Sequence, residues 1–333
     1  MKKKNEAAPV KEEKPLDPKA EQEKLYKSLD VIELSKEEPE KPFNELVEEK
    51  RKNIFVTYKK ARTRSNIIMI AVVVVFVASI VLAVSNQQWG MITGGCLIGA
   101  TLVFLIVNYI LTKNTFPNTT RDYIKYFMLT SDNYLFNNKD FSDAKLFVEK
   151  RYTLADVLAD RCYADVIDCV SRNLVEGKYK GKEFNCGELA FYKAGDKKHV
   201  KHVVFVGRYL SMGNKLHFED RYIINIRGEK ETDLPTDISD LVELSSQNRF
   251  VIYGKEGANF EKDLGKDFIN NLKSIDCTGA LLNVNVVVWA GHTACYLSYD
   301  DSIVAIPFDK AIEPNSYTQL KKNLSDVLEI VSE

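Results

Sequence analysis

From Pro42 onward, apolar residues recur every three or four positions, at Phe43, Leu46, Val47, Ile54 and Tyr58. That is the spacing of one helix face, and a proline is tolerated at a first helical turn. The pattern then becomes continuously apolar. Ile67 to Val84 and Trp89 to Leu111 are runs of eighteen and twenty-three residues without one Asp, Glu, Lys or Arg. A helix rises about 1.5 Å per residue, so about 20 apolar residues cross roughly 30 Å of hydrocarbon. Both runs satisfy this, the first narrowly. The short gap between them predicts a tight re-entry, and so a two-helix transmembrane hairpin over 66–112 preceded by a basic juxtamembrane helix over 43–65.

Past the hairpin the period changes. Residues 121–160 lean helical, with Phe141, Leu146, Phe147, Leu154, Val157 and Leu158 as apolar positions and Ser142 and Asp143 able to cap. From 166 to 230 the pattern reads as strands: Val166 to Leu174, then EFNCGELAFY, HVVFVGRYLSM and RYIINIR, separated by the turn-rich EGKYKGK and AGDK. Phe250 to Tyr253 is a short strand, and NFEKDLGKDFINNLKSI has helical spacing. A meander follows, LLNVNVVVW, ACYLSY and SIVAIPF, with turns at Gly291-His292 and Asp300-Asp301, and Tyr317 to Val331 closes as an amphipathic helix. Short turns between successive strands imply antiparallel pairing. The fold class is therefore α+β: a tail over 1–42, the helix and hairpin, and a mostly antiparallel α+β domain over 113–333.

Charge changes this picture at the N-terminus and sets an orientation. Residues 1–42 are rich in Lys, Glu and Pro and cannot bury enough apolar area to offset their ordering entropy, so they read as disordered. One island, Leu25 to Leu34, is apolar enough for a short helix or for docking a partner; an incidental cluster is the simpler reading. Lys50, Arg51, Lys52, Lys59, Lys60, Arg62 and Arg64 precede the first run, and Lys113, Arg121 and Lys125 follow the second, while the connecting SNQQWGM carries no charge. Lys and Arg flanking a span stay cytoplasmic. The expected localisation is thus the cell membrane, multi-pass, with both termini cytoplasmic, and the polar stretch before the first run argues for an uncleaved anchor. Within the hairpin, Ser79 and Ala83 are four apart, and so are Gly95 and Gly99, a spacing that lets helices approach closely in lipid. Packing within the hairpin is the expectation; a dimer face is the alternative.

Candidate chemistry adds little. The net charge of −1 gives no basic field for nucleic acid. The six cysteines contain no C-x-x-C pair, which points to free thiols. His199 and His202, with Cys186 upstream, lie at the entry to a strand, where residues three apart point to opposite faces and do not share a metal. His292 and Cys295 suggest a base and a thiol, but no orienting Asp or Asn is identifiable. There is no P-loop, G-x-G-x-x-G, G-x-S-x-G or H-E-x-x-H, so no cofactor, metal or catalytic residue is expected.

The order of these features, with EGKYKGKEF, VVFVGRYL, NRFVIYGKEG and IPFDKAIEP as landmarks, resembles the bacterial domain-of-unknown-function family 3137, from about residue 43 to the C-terminus. Glu176, Gly177 and Gly181 match its acidic residue and glycines before a strand. Val204, Phe205 and Gly207 match its Val-Phe-x-Gly strand, and Phe250 and Tyr253 its later strand; GKEGAN replaces the acidic turn that follows. The resemblance implies a two-span protein with a cytoplasmic α+β domain and no known activity. Three readings stay open: a module binding a protein, peptide or lipid headgroup at the inner membrane face, an enzyme with an unrecognised site such as a hydrolase, and a structural subunit of a membrane complex.

Overall fold

The computed structural model describes residues 31–34, 41–85, 89–148, 150–195, 200–228, 237–300, 306, 308, 310–313 and 315–332. Two long helices, α1 (Phe43–Ser85) and α2 (Trp89–Leu135), pack along each other and lead into a mixed α+β body. Its strands are β1 (Val31–Glu33), β2 (Phe141–Phe147), β3 (Val166–Tyr179), β4 (Lys182–Ala194), β5 (Lys201–Met212), β6 (Tyr222–Arg227), β7 (Val242–Gln247), β8 (Phe250–Gly254), β9 (Leu281–Trp289) and β10 (His292–Tyr299). They form one ten-stranded sheet in the order β1-β2-β3-β4-β5-β10-β9-β6-β8-β7. Every pairing is antiparallel. The shorter helices are α3 (Leu154–Leu158), α4 (Phe260–Leu264), α5 (Lys266–Lys273) and α6 (Ser316–Ser332).

Alternation along the strands gives the sheet two different faces. Cys186, Leu210, Ile224, Val286 and Leu297 point to the first, which α1, α2, α5 and α6 cover. Leu189, Phe205, Tyr209, Ile223, Val287 and Tyr296 point to the second, under α3 and Tyr163. On the first face α6 buries Tyr317, Leu320, Leu324, Val327, Leu328 and Val331, the one-sided spacing of an amphipathic helix. The start of α1 is clamped there by aromatic rings. Phe43 stacks on Tyr317 at 3.9 Å and meets Phe127 edge-on at 5.5 Å. Tyr126 donates to the Leu46 carbonyl at 2.9 Å, and Arg51 donates to the Phe308 carbonyl at 3.0 Å. One end of the long helix pair is therefore built into the core.

Away from that end the pair changes character. Along α1 the inward positions are Ala61, Ser65, Ile68, Val72 and Ser79, and along α2 Gly94, Ile98, Thr101 and Leu105. This is the alternation of threes and fours of a coiled-coil seam. Their outer surfaces are apolar and open: Ile67 is 62% exposed, Val74 61%, Val84 79% and Val103 61%. Among the described residues, α1 is the one helix long and apolar enough to cross a membrane, and a shorter apolar stretch, Gly94–Ile106, lies in α2.

Three expectations need correction. Residues 121–160 are not helical throughout: α2 ends at Leu135, and Phe141–Phe147 is a strand in which Asp143, at φ 55°, sits in a bulge rather than capping a helix. The apolar island before Pro42 is neither a helix nor idle at its C-terminal end. Val31–Glu33 pairs with β2 as an edge strand, and the Leu34 amide donates to the Ala144 carbonyl while its side chain enters the core. The glycines Gly95 and Gly99 are exposed, and a methyl at either meets no described atom within 4 Å. Gly94, one position round the helix from Gly95, is buried in the seam, as is Ser79 of the expected set. The Ala83 side chain, the turn at 86–88 and the proposed strand SIVAIPF, except Ile306 and Phe308, lie outside the described residues, as do 1–30 and His199.

Candidate functional site

The residues singled out by family resemblance serve the fold. Gly181 has φ 81° and follows Lys180 at φ 49°; together they are the two-residue turn between β3 and β4, where both positions must be left-handed. Gly177 lies opposite the β2 bulge, and a Cβ there would sit 2.9 Å from the Ala144 backbone. At Gly207 a Cβ would collide with the Leu297 carbonyl oxygen of the neighbouring strand. Glu176 pairs with Lys150. Phe205 and Phe250 are buried, Val204 and Tyr253 half-buried. These eight positions set turns, a bulge and a close strand approach, and they do not converge on one place.

What does converge is a row of polar side chains across the second face. The register aligns Gly187, Tyr209, Tyr296, Asn285, Asn225 and Val251 on successive strands β4, β5, β10, β9, β6 and β8. Four of the six are polar and all four are buried. A polar group taken out of water must find partners inside. The segment 152–163, lying over the row, supplies partners for three of the four. Tyr296 donates to Asp160 Oδ2 at 2.8 Å, Asn285 Nδ2 donates to the Tyr163 hydroxyl at 2.9 Å, and Tyr209 also hydrogen-bonds Asp160. Gly187 leaves room for the Tyr152 ring, which packs edge-on against Tyr209 at 4.9 Å. The Tyr152 hydroxyl is buried and has no hydrogen-bond partner among the described residues.

Asp160 is the chemical centre of this group. Its side chain is 3% exposed, and burial pushes its carboxyl up to about 6 against the two tyrosine hydrogen bonds, which pull it down. His292 Nε2 lies 3.8 Å from Asp160 Oδ1, too far for a hydrogen bond. Burial lowers the imidazole, which favours its neutral form, and the Trp289 ring packs tilted against it at 4.3 Å. Cys162, on the segment over the row, is held well above an ordinary thiol by burial, as is Cys295. Both are thiols rather than thiolates and are not poised as nucleophiles. The cluster can hold and exchange a proton on Asp160; it has no activated nucleophile.

The sequence pairing of His292 with Cys295 is not realised. His292 opens β10 and the turn is Ala290-Gly291, one residue earlier than expected. The two residues are three apart on a strand, so Cys295 points into the first face and His292, beside Asp160, to the second. The acid nearest His292 is Asp160, which sequence reasoning did not single out. Cys186 is buried on the first face and His202 is exposed near the other end of β4 and β5, so neither joins the row. Among the described residues no group of three His, Cys, Asp or Glu is arranged to hold a metal.

A second buried network ties α2 to the sheet. Arg172, Glu188 and Arg208 form one cross-strand row on the first face. Arg208 donates to Asp132 of α2 at 3.1 Å and to Glu188 at 3.2 Å, and Arg172 pairs with Glu188. Asp132 is fully buried, and burial lifts its carboxyl to about 7 despite the pull of Arg208. The next rows on this face are Val170, Ala190 and Val206, then Asp168, Tyr192 and Val203. Here the helices stop covering the sheet: Val170 is 50% exposed and Val203 56%.

Comparison with known proteins adds no family. Neither a family model nor a curated protein matches this chain. Among solved structures, it is similar to the mycobacterial trehalose monomycolate transport factor A at 12% identity, over 56% of this chain and 88% of that one, with a TM-score of 0.31, a likeness too loose to assign a shared fold.

Proposed function

We propose that this protein is a two-span membrane protein of the kind the family-3137 resemblance implies, whose α+β body sits at the inner membrane face and binds a protein, peptide or lipid headgroup there. One observation carries the reading. The same helix that is locked by aromatic rings into the body at Phe43 becomes, from Ile67 on, an apolar rod with open sides. Such a surface is costly in water, at about 25 cal/mol per Å² of apolar area. In a bilayer it costs nothing, and α2 completes the hairpin that the second apolar run requires. The basic residues at the start of the rod and their absence from the connecting loop support cytoplasmic termini.

A binding role for the body is supported by the uncovered rows around Val170 and Val203. Exposed apolar side chains on a sheet face, here Val170 and Val203 beside the Asp168–Lys201 ion pair, are positions a partner can cover. A second reading, catalysis, is favoured by one specific feature, the Asp160 carboxyl held near neutrality beside His292. Replacing Val170 and Val203 together with Asp should abolish the phenotype of the chain while leaving abundance and thermal stability intact. Asp160→Asn and His292→Ala should preserve it. The reverse pattern would favour the enzyme.

A further inference from the structure

The stripe of α1 between the core-bound end and the apolar rod has an unusual composition. Val56, Lys59, Lys60, Arg64, Ile67 and Ile68 line one open groove of about 750 Å³ along the helix. These positions recur at three- and four-residue steps, so they share one face. Three cations occupy its middle and branched aliphatic side chains its membrane end. From residue 50 to residue 121 the sequence contains no Asp or Glu at all, on either helix of the pair, so no carboxylate within that stretch neutralises the three. Lys113 and Arg121, on the returning helix, are basic as well.

We infer that this groove is a binding site for an anionic phospholipid, its phosphate held by Lys59, Lys60 and Arg64 and an acyl chain lying against Ile67 and Ile68. The inference rests on the membrane reading above. Depth favours it. At about 1.5 Å per residue, Arg64 sits about 5 Å and Lys60 about 10 Å outside the first residue of the apolar run. The headgroup layer of a leaflet is about 5–8 Å thick, and a lysine stem spans the remainder by snorkelling. A free phosphate would satisfy the cations but leave the aliphatic end of the groove uncovered. A lipid satisfies both, and basic clusters immediately cytoplasmic of a membrane helix are a known form of anionic headgroup recognition.

The test uses the full chain and the triple variant Lys59→Gln, Lys60→Gln, Arg64→Gln. A second triple variant, Lys255→Gln, Lys262→Gln and Lys266→Gln, removes three cations from the body as a control. Each is reconstituted into vesicles of phosphatidylcholine with one-fifth phosphatidylglycerol, then extracted into mild detergent, and retained lipid is quantified by mass spectrometry. The expected result is selective retention of phosphatidylglycerol by the parent and the control, reduced at least tenfold in the groove variant, since each cation near an anionic surface contributes a factor of about five. Millimolar inorganic phosphate should not displace the lipid. Equal retention by the groove variant would overturn the site while leaving the membrane reading intact. Displacement by inorganic phosphate would show a general anion site and overturn the lipid assignment. Failure of the parent to enter vesicles would overturn both readings.

Discussion

Arg208 stands at the centre of the first sheet face, 2% exposed, between two carboxylates on different elements. An arginine does not escape burial by losing its proton, and burial of the Asp132 and Glu188 charges is tolerable only because Arg208 and Arg172 lie beside them. Arg208→Ala should therefore destabilise the body by about 3–5 kcal/mol, because both carboxylates would be left without their shared partner. Thermal unfolding in detergent measures this. On the opposite face, Asp160 gives a pH signature. Its folded carboxyl is at about 6, above an unfolded value of about 3.9. A raised value means that the folded state holds the proton more tightly. The stabilisation is complete below about pH 4 and disappears as pH rises through 6, an effect of up to about 3 kcal/mol. Asp132 acts with the same sign near 7. The groups facing Asp160 are Tyr209, Tyr296, Cys162 and His292, of which only His292 ordinarily titrates near this range, and burial lowers it. Stability should fall between about pH 4 and 7, the interval from the unfolded to the folded values, and Asp160→Asn, which keeps an acceptor for the tyrosines, should flatten the fall.

At the scale of elements, glycines separate positions that fix geometry from positions that merely look as if they should. Gly207→Ala pushes a methyl into the Leu297 carbonyl of β10 and should cost about 3 kcal/mol or more, near the upper end for overpacking. Gly95→Ala and Gly99→Ala meet open space, and cross-linking between cysteines placed on α1 and α2 should be unchanged by both. The sequence showed a four-residue spacing of small side chains, but helical phase decides which side faces the partner, and a one-residue offset, Gly94 for Gly95, moves the seam by about 100°. The same limit explains the strands. β4, β5 and β6 were legible because their apolar residues alternate over a long run. β2 was not, because its bulge at Asp143 breaks the period of two and leaves Ser-Asp reading as a helix cap. β1 is three residues long and acquires a partner only through a pairing with residues more than a hundred positions away.

For the whole molecule, the buried polar row is the part that sequence could not assemble. Asp160, Tyr209, Asn225, Asn285 and Tyr296 come from five separate segments and meet only through sheet register. One signal was available: Asn283 and Asn285 alternate with valines in an otherwise apolar strand, which places buried amides on one face. The two long helices, by contrast, were legible from composition alone, and the structure joins them to the body without a break. α1 runs from the aromatic clamp at Phe43 to Ser85, and α2 returns from Trp89 to Asp132 and the Arg208 network.

Thiol labelling on intact cells separates a two-span hairpin with a cytoplasmic body from every other arrangement of this chain. With Cys96 replaced by Ala, a single cysteine is placed at Gln87, between the helices, or at Lys262, on the body. A membrane-impermeant maleimide should label the first without permeabilisation and the second only after it. Labelling at Lys262 in intact cells, with Gln87 protected, would contradict the orientation; equal labelling of both only after lysis would contradict the two spans.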